Sequence, residues 1–323
     1  MGSNLLPFST FLVDLNRYKR DMNQSNSRSC HLGKFEGFDR GFSDEDLLQI
    51  WAEWSRNRAF EQCAAEALKS RDIKVPTYLS LGSEHIPVAL KTVLQGFNVF
   101  AQHRAHSYYL SFGGSPVALI DELLGLPTGC TGGRGGSASI HDRGSKIWGH
   151  SGLMGDQVPI GVGYALASKE PTMLVMGDAS AEEDYVLGAL GYAATKSLPV
   201  IFVCEDNDLS ILTKVETRRS WSIKDVAASY GMQSFDISDD PRLIIRTAEK
   251  LKRDMPGLVN IRCCRDVWHA GAGTDGPPEW NQHEIFREML AGRGLDSDAE
   301  LISTEARTHL AALWDERIQE SSK

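Results

Sequence analysis

Asp178 and Asn207 stand at the ends of two short apolar runs and carry the strongest chemical signal in the chain. The run Met173–Met176 leads through a glycine to Asp178, and Val200–Val203 leads to Asn207. A stretch suited to a helix, Ala181–Lys196, separates them. Short, wholly apolar runs of this kind are typical of buried parallel strands. Because parallel strands end at the same edge of a sheet, where open α/β folds bind ligands, we expect both side chains to meet there.

The types of these two residues predict a metal site. A carboxylate and an amide oxygen are hard ligands, and Mg²⁺ takes few of them because water and phosphate oxygens complete its shell. A phosphate beside the ion would face free N–H groups at the start of the following helix, at Ala179, Ser180 and Ala181. Three acidic residues in the same helix would repel that phosphate. We therefore expect them to point away from it, some toward a partner chain: Glu182, Glu183 and Asp184.

The spacing from Gly177-Asp178 to Asn207 resembles the signature of thiamine diphosphate enzymes, which is Gly-Asp-Gly, about thirty residues, then Asn-Asn. Four longer stretches extend the similarity: HRAH at 103–106, GCTGGRGGSASIH at 129–141, GHSGLMGDQVPIGVG at 149–163 and LPVIFVCEDN at 198–207. Over roughly residues 43–280 the chain thus resembles the α subunit of the two-chain thiamine diphosphate-dependent decarboxylase/dehydrogenase component of 2-oxo acid (pyruvate, branched-chain) and acetoin dehydrogenase complexes.

The resemblance implies a doubly wound α/β fold with a mostly parallel sheet, helices on both faces, and thiamine diphosphate bound with Mg²⁺. It adds the main-chain carbonyl of Leu209 to the metal ligands Asp178 and Asn207. It implies cofactor contacts at His103, Arg104, Gly152, Met154, Gly177, Asp178, Ala179, Ser180 and Asn207. Arg104 suits a diphosphate because a guanidinium matches phosphate oxygens in a fork. Three histidines are candidates for proton transfer, since imidazole titrates near neutrality: His106, His150 and His269.

Several family features are missing. Ala179 replaces the last glycine of the signature, Asp206 replaces its first asparagine, and Tyr78 replaces a family histidine. The segment WHAGAGTDG keeps His269 but lacks the histidine pair and the regulatory serine that serve a lipoyl-domain protein.

Two alternatives to the lipoyl-coupled decarboxylase therefore stay open. One is a transketolase-like or acyloin-forming carbon–carbon ligase, and another is a non-catalytic scaffold or regulatory relative. A nicotinamide enzyme is disfavoured, because the glycine-rich tract Gly129–Ser139 follows no clear strand.

The resemblance also implies a partner. Family members take the glutamate that activates the aminopyrimidine ring, and the pyrimidine-binding half, from a β subunit. Two α and two β chains around a two-fold axis are therefore expected. The substrate would be a small 2-oxo acid or a ketose.

Composition bounds the remaining possibilities. The chain has 323 residues, 41% hydrophobic and 24% charged, which suits one large α/β domain over residues 41–323 with helices at its end. Residues 1–40 read as an extension that is loose or packed on a partner. A net charge of −9 argues against nucleic acid, and no apolar run is long enough to span a membrane. We expect a cytoplasmic protein, or a mitochondrial matrix protein if the extension is a transit peptide.

Further elements are predicted before and after the segment that contains Asp178 and Asn207. Ser43 followed by three acids predicts a capped helix start, with Leu47, Ile50, Trp51 and Trp54 on its core face. Further helices are predicted at 116–124, 225–230, 241–255, 283–290 and 297–320, and a buried strand at 258–263.

Overall fold

The computed structural model describes residues 41–73, 75–149, 151–267 and 280–321. Its centre is a six-stranded sheet in the order β2-β1-β3-β4-β8-β7, in which all neighbours pair in parallel. The strands are β1 (Asn98–Phe100), β2 (Ile147–Trp148), β3 (Thr172–Gly177), β4 (Val200–Asp206), β7 (Gln233–Ser238) and β8 (Gly257–Arg262). A small hairpin pairs β5 (Leu209–Ser210) with β6 (Thr213–Lys214).

Helices connect these strands. In chain order they are α1 (Asp44–Ser70), α2 (His85–Leu94), α3 (His106–Ser111), α4 (Pro116–Leu123), α5 (Gln157–Ser168), α6 (Asp184–Thr195), α7 (Val215–Arg218), α8 (Ile223–Ser229), α9 (Pro241–Arg253), α10 (Gln282–Gly292) and α11 (Asp296–Ser321). Single 3₁₀ turns lie at Gly136–Ser139 and Ser180–Glu182. Within the described residues, no helix has the length and apolar character needed to cross a membrane.

The alternation of buried residues along β3 shows that both faces of the sheet are covered. Met173 and Val175 belong to one apolar cluster, which α1, α2, α9 and α11 complete. Leu174 and Met176 belong to a second cluster on the opposite face, against α5, α6 and α8. A strand buried on both faces explains the unbroken apolar run in the sequence. The doubly wound α/β fold predicted from the sequence is confirmed.

Most predicted elements are present with small shifts of their ends. The helix expected over Ala181–Lys196 is the exception, because a 3₁₀ turn comes first and α6 begins only at Asp184. Glu183 takes an extended backbone (φ −66°, ψ 136°) and separates the two. Extended geometry is usual at the residue before a helix, and the acid that follows suits the first turn. No sequence pattern predicted β1, β2, β7 or the hairpin.

Strand register brings the two signature residues together. Gly177 at the end of β3 pairs with Glu205 on β4, so Asp178 and Asp206 leave the sheet side by side. The chain runs to β2 on one side of β1 and then returns to β3 on the other, which makes this edge a topological switch point. Two of the predicted histidines, His150 and His269, and the extension 1–40 lie outside the described residues.

Candidate active site at the carboxyl edge of the sheet

A cavity of about 400 Å³ opens at the carboxyl edge of β1, β3, β4 and β8. Its size is that of a small-molecule or cofactor site. Every residue predicted to bind cofactor or metal lines it: His103, Arg104, Gly152, Met154, Gly177, Asp178, Ala179, Ser180, Asn207 and Leu209. The fold thus gathers residues that lie up to about a hundred positions apart in the chain.

The donors for a cation are placed by β3, β4 and the hairpin. Asp178 follows β3 directly and is 2% exposed. Asn207 follows β4, and Leu209, which is also buried, begins the hairpin. Carboxylate, amide and main-chain carbonyl oxygens converging on one cavity form a donor set that fits Mg²⁺. Within the described residues no cluster of three or more His, Cys, Asp or Glu side chains offers another metal site.

The electrostatic setting of Asp178 is that of a buried acid among charges. Burial raises its pKa to about 6, the Asp206 carboxylate adds to the rise, and the guanidiniums of Arg218 and Arg219 oppose it. Arg218 Nη2 also donates a hydrogen bond to Asp178 Oδ2. A buried carboxylate in this condition favours a nearby positive charge.

Asp206, one of the two departures in the signature, points away from the cavity. Its Oδ2 accepts a hydrogen bond of 3.0 Å from Asn260 Nδ2, and its Oδ1 accepts one of 2.9 Å from the Asp208 N–H. It is not among the residues that line the cavity. Asp206 therefore turns away from the cavity, while its charge still acts on the nearby Asp178 carboxylate.

Ala179, the other departure, is accommodated by its backbone. Its φ of −73° and ψ of −40° lie in the right-handed region, which alanine adopts without strain. A glycine is therefore not required here for conformational reasons. The acids that follow behave as predicted, since Glu182, Glu183 and Asp184 do not line the cavity. Glu182 instead pairs with Arg218 at 3.0 Å and with Arg219 at 3.5 Å.

His103 and Arg104 form another part of the wall together with Tyr78. The His103 ring meets the Tyr78 ring edge-on, with centroids 4.9 Å apart. Arg104 Nη1 donates to the carbonyl oxygen of Leu79 at 2.7 Å, and its guanidinium lies 6.0 Å from the Tyr78 ring centre. Tyr78, the residue that replaces a family histidine, thus packs against His103 and lies near the Arg104 guanidinium.

His106 does not face the cavity, contrary to expectation. It begins α3 with its ring fully buried, where Nδ1 lies 2.9 Å from Glu61 Oε1 and Nε2 lies 2.7 Å from Ser137 Oγ. The turn of α3 directs the ring inward to the α1 carboxylate, and no atom of it borders the cavity. Its contacts are those of a structural residue that joins α1 to the glycine-rich tract.

So many glycines in the tract Gly129–Ser139 predict a loop that lets its backbone approach a cofactor or a partner closely, but the structure gives most of the tract another role. Its N–H groups surround the carboxylate of Glu122 on α4 at 2.7 to 3.1 Å, from residues 131, 133, 135 and 136. Burial opposes ionisation of Glu122, but these hydrogen bonds outweigh it and hold the pKa below the usual value. Of the tract only Ala138 lines the cavity. Its glycines therefore serve a side chain of the same protein.

Sequence reasoning missed several residues of the cavity. Tyr108 donates a hydrogen bond of 2.7 Å to Glu205 Oε1, and burial raises the pKa of Glu205 to about 7 against that bond. Cys263 and Arg265, just past β8, complete this side. For Glu205, Cys263 and Arg265 a position at or just past a strand end was the available signal, since such residues reach the binding edge. Tyr108 lies on α3 and had no such signal.

Comparison with known proteins agrees with this architecture. The transketolase of Campylobacter jejuni superposes with a TM-score of 0.56 at 17% identity, over 85% of this chain and 48% of that one. The transketolase of Leishmania mexicana gives 0.53 at 14% identity, over 85% and 46%. At these identities the likeness concerns the fold alone, and it fits the thiamine diphosphate-binding type of α/β sheet.

The family follows from sequence. Residues 55–255 match the family model described as the dehydrogenase E1 component, which covers more than half of the chain. The chain belongs to this family, and the resemblance drawn from its motifs is confirmed. The pyruvate dehydrogenase E1 component subunit alpha of Rickettsia felis is 30% identical over 202 residues, 60% of this chain and 61% of that protein. Its counterpart in Zymomonas mobilis is 29% identical over 259 residues, 76% and 72%. The matched region spans only 44% of the mitochondrial alpha-2 subunit of Arabidopsis thaliana.

Proposed function

We propose that this chain is the α subunit of a thiamine diphosphate-dependent enzyme of the 2-oxo acid dehydrogenase type. It would bind the diphosphate end of the cofactor with Mg²⁺ in the cavity. The observation that carries the proposal is the convergence of Asp178, Asn207 and Leu209 with Arg104 in one cavity. Membership of the dehydrogenase E1 component family supports the same function.

Each part of the cavity has a task in such an enzyme. When bound, the cofactor supplies the electron sink that permits cleavage next to the carbonyl of a 2-oxo acid. Asp178, Asn207 and the Leu209 carbonyl would hold the ion, and Arg104 would neutralise diphosphate oxygens. Gly152, with φ +98° and open space where a side chain would begin, leaves room for a ring against the main chain.

The two departures from the signature do not favour a non-catalytic relative. Ala179 has a right-handed backbone, so the alanine adds no conformational strain where the signature has glycine. Both Asp206 oxygens accept hydrogen bonds outside the cavity, so this acid is not among the ligands. The features that raised the scaffold hypothesis therefore leave the metal donors intact.

A β subunit is the expected partner, and it would supply the activating glutamate and the pyrimidine-binding half. Large apolar side chains near the cavity are exposed in the chain by itself: Leu153 by 59%, Ile160 by 56% and Ile211 by 62%. Exposed apolar residues of this size beside a site suit an interface. Two α and two β chains around a two-fold axis would cover them and complete the site.

The test replaces Asp178 with alanine. Thiamine diphosphate binding to the assembled enzyme is measured by titration calorimetry with Mg²⁺ and with EDTA. We expect Asp178→Ala to lose the Mg²⁺-dependent part of the affinity, because Asp178 is the anionic ligand, while circular dichroism stays unchanged. Asp315→Ala, at an exposed position of α11, is the matched control. Wild-type affinity in a folded Asp178→Ala enzyme would refute the metal assignment.

The partner requirement is tested separately. The purified chain is assayed for decarboxylation of 2-oxo acids, with and without a co-expressed candidate β subunit. We expect turnover only in the co-expressed hetero-oligomer. Turnover by the single chain would contradict the two-chain architecture and leave the metal assignment standing.

A further inference from the structure

Arg218 and Glu182 form an ion pair directly behind the carboxylate of Asp178. Arg218 Nη2 donates to Asp178 Oδ2, and Arg218 Nη1 lies 3.0 Å from Glu182 Oε1. The Arg218 side chain is 13% exposed and that of Asp178 4%. Neither Arg218 nor Glu182 lines the cavity, so the guanidinium reaches the carboxylate from the protein side.

The next residue fixes the main chain at the same point. Arg219 Nη1 donates to the carbonyl oxygen of Asp178 at 3.0 Å, and its guanidinium lies 4.8 Å from the Trp221 ring centre. Together α7 and its C-terminal neighbour hold both the backbone and the side chain of Asp178. This leaves Oδ1 as the carboxylate oxygen available to the cavity.

Charge alone does not explain the arrangement. A guanidinium next to a metal ligand would repel a divalent cation by Coulomb's law. Glu182 lies 3.0 Å from Arg218 and 3.5 Å from Arg219, so its carboxylate offsets part of this repulsion. The arrangement instead suits orientation. A guanidinium that contacts two carboxylates at once fixes the direction of the Asp178 side chain, and arginine does this better than lysine.

We propose that Arg218 is a positioning residue for the metal site, which holds the Asp178 carboxylate so that Oδ1 can ligate the cation, and that Glu182 holds Arg218. The proposal rests on the proposed function, since it concerns the residue that orients the inferred metal ligand Asp178. Groups that orient metal ligands in this way typically contribute 10- to 100-fold to metal affinity. No motif in the sequence marks either residue.

The experiment measures Mn²⁺ binding to the assembled full-length enzyme at saturating thiamine diphosphate, from the electron paramagnetic resonance signal of free Mn²⁺. We expect Arg218→Gln to weaken Mn²⁺ binding roughly 10- to 100-fold. Arg218→Lys keeps the charge but reaches one carboxylate at a time, so it should recover part of that loss. Thermal stability in EDTA is recorded in parallel, because a purely structural role would change stability without changing metal affinity.

Glu182→Gln supplies an independent arm that does not touch the ligand. It leaves the Arg218 charge uncompensated and its side chain less fixed, so it should also weaken Mn²⁺ binding. If the two residues act as a unit, the double variant should lose less than the product of the single losses. The Glu182→Gln variant still tests the positioning role if Arg218→Gln fails to fold.

The outcomes separate the two proposals. Unchanged Mn²⁺ affinity in Arg218→Gln would overturn the positioning role. Tighter binding would overturn it as well, because it would mean that Arg218 competes with the cation for Asp178. In either case a loss of binding in Asp178→Ala would keep the metal site, whereas wild-type binding in Asp178→Ala would remove the metal site itself.

Discussion

Two regions of this protein contain the residue types of an active site, and only one of them faces the cavity. At the carboxyl edge of β3 and β4, Asp178 and Asn207 border open space. Below it, His106 with its partners Glu61 and Ser137, and Glu122 with the glycine-rich tract, form a buried polar layer. Histidine, carboxylates and glycine N–H groups occur in both. The difference lies in what satisfies them.

In the buried layer each polar group finds its partner within the chain. Four tract N–H groups meet one carboxylate, and both nitrogens of His106 have protein partners. A group that is fully satisfied inside the protein contributes to stability and not to binding. At the carboxyl edge, one oxygen of Asp178 is held from behind and the residue borders the cavity. Whether a polar group has its hydrogen-bond partners within the protein therefore distinguishes scaffold residues from site residues better than residue type does.

The comparison predicts the largest effect at Glu122. Glu122→Ala leaves the tract N–H groups without their acceptor, so we expect a loss of about 3 to 5 kcal/mol in the free energy of unfolding. Because the pKa of Glu122 is lowered on folding, its contribution is present above its ordinary value of 4.5 and is lost as pH falls further. Urea unfolding at neutral pH and near pH 4 measures both. Glu316→Ala, at an exposed position of α11, is the control, and equal stability of the two variants would refute the role of Glu122.

The second-largest effect is expected at His106, because its removal takes away one of the hydrogen-bond partners of the buried Glu61 carboxylate and leaves a cavity. We expect His106→Ala to cost about 2 to 3 kcal/mol of unfolding free energy. Cofactor affinity of the folded enzyme should change little. Unchanged stability with lost turnover would instead return His106 to a catalytic role and erase the contrast between the two regions.

His103, three residues earlier, should show the opposite pattern. It lines the cavity, so His103→Ala should weaken thiamine diphosphate binding by about tenfold, roughly 1.4 kcal/mol, the scale of one hydrogen bond to a charged group. Its unfolding free energy should stay close to that of the wild type. Calorimetry and urea unfolding on the same preparations give both numbers, and a stability loss like that of His106→Ala would sink the distinction.

The smallest effect is expected at Ala179. Ala179→Gly restores the family signature where the backbone is already right-handed. Cofactor binding should therefore be equal or slightly tighter, and any stability loss should not exceed about 1 kcal/mol, the usual cost of a flexible glycine. A hundredfold loss of affinity, measured by calorimetry, would show that the alanine is adapted to another ligand.

The sequence by itself determined the two central strands of this protein and the edge at which its candidate ligands lie. Two apolar runs with the right spacing specified parallel buried strands, and strand polarity then required Asp178 and Asn207 to share one edge. The inference succeeded because period and polarity are local properties that few tertiary contacts override. The same holds for the capped start of α1 at Ser43, whose side chain accepts from the Asp46 N–H.

Only the tertiary structure decided which polar groups remain available. The direction of His106 depends on α1, forty-five residues away, and the use of the glycine tract depends on a carboxylate from α4. Arg218 reaches Asp178 only because α7 folds back behind β3. Hydrogen-bond satisfaction is a property of the whole packed chain, since each donor can choose among acceptors distant in sequence. A motif therefore states which groups are present, and packing decides which of them are left to bind a ligand.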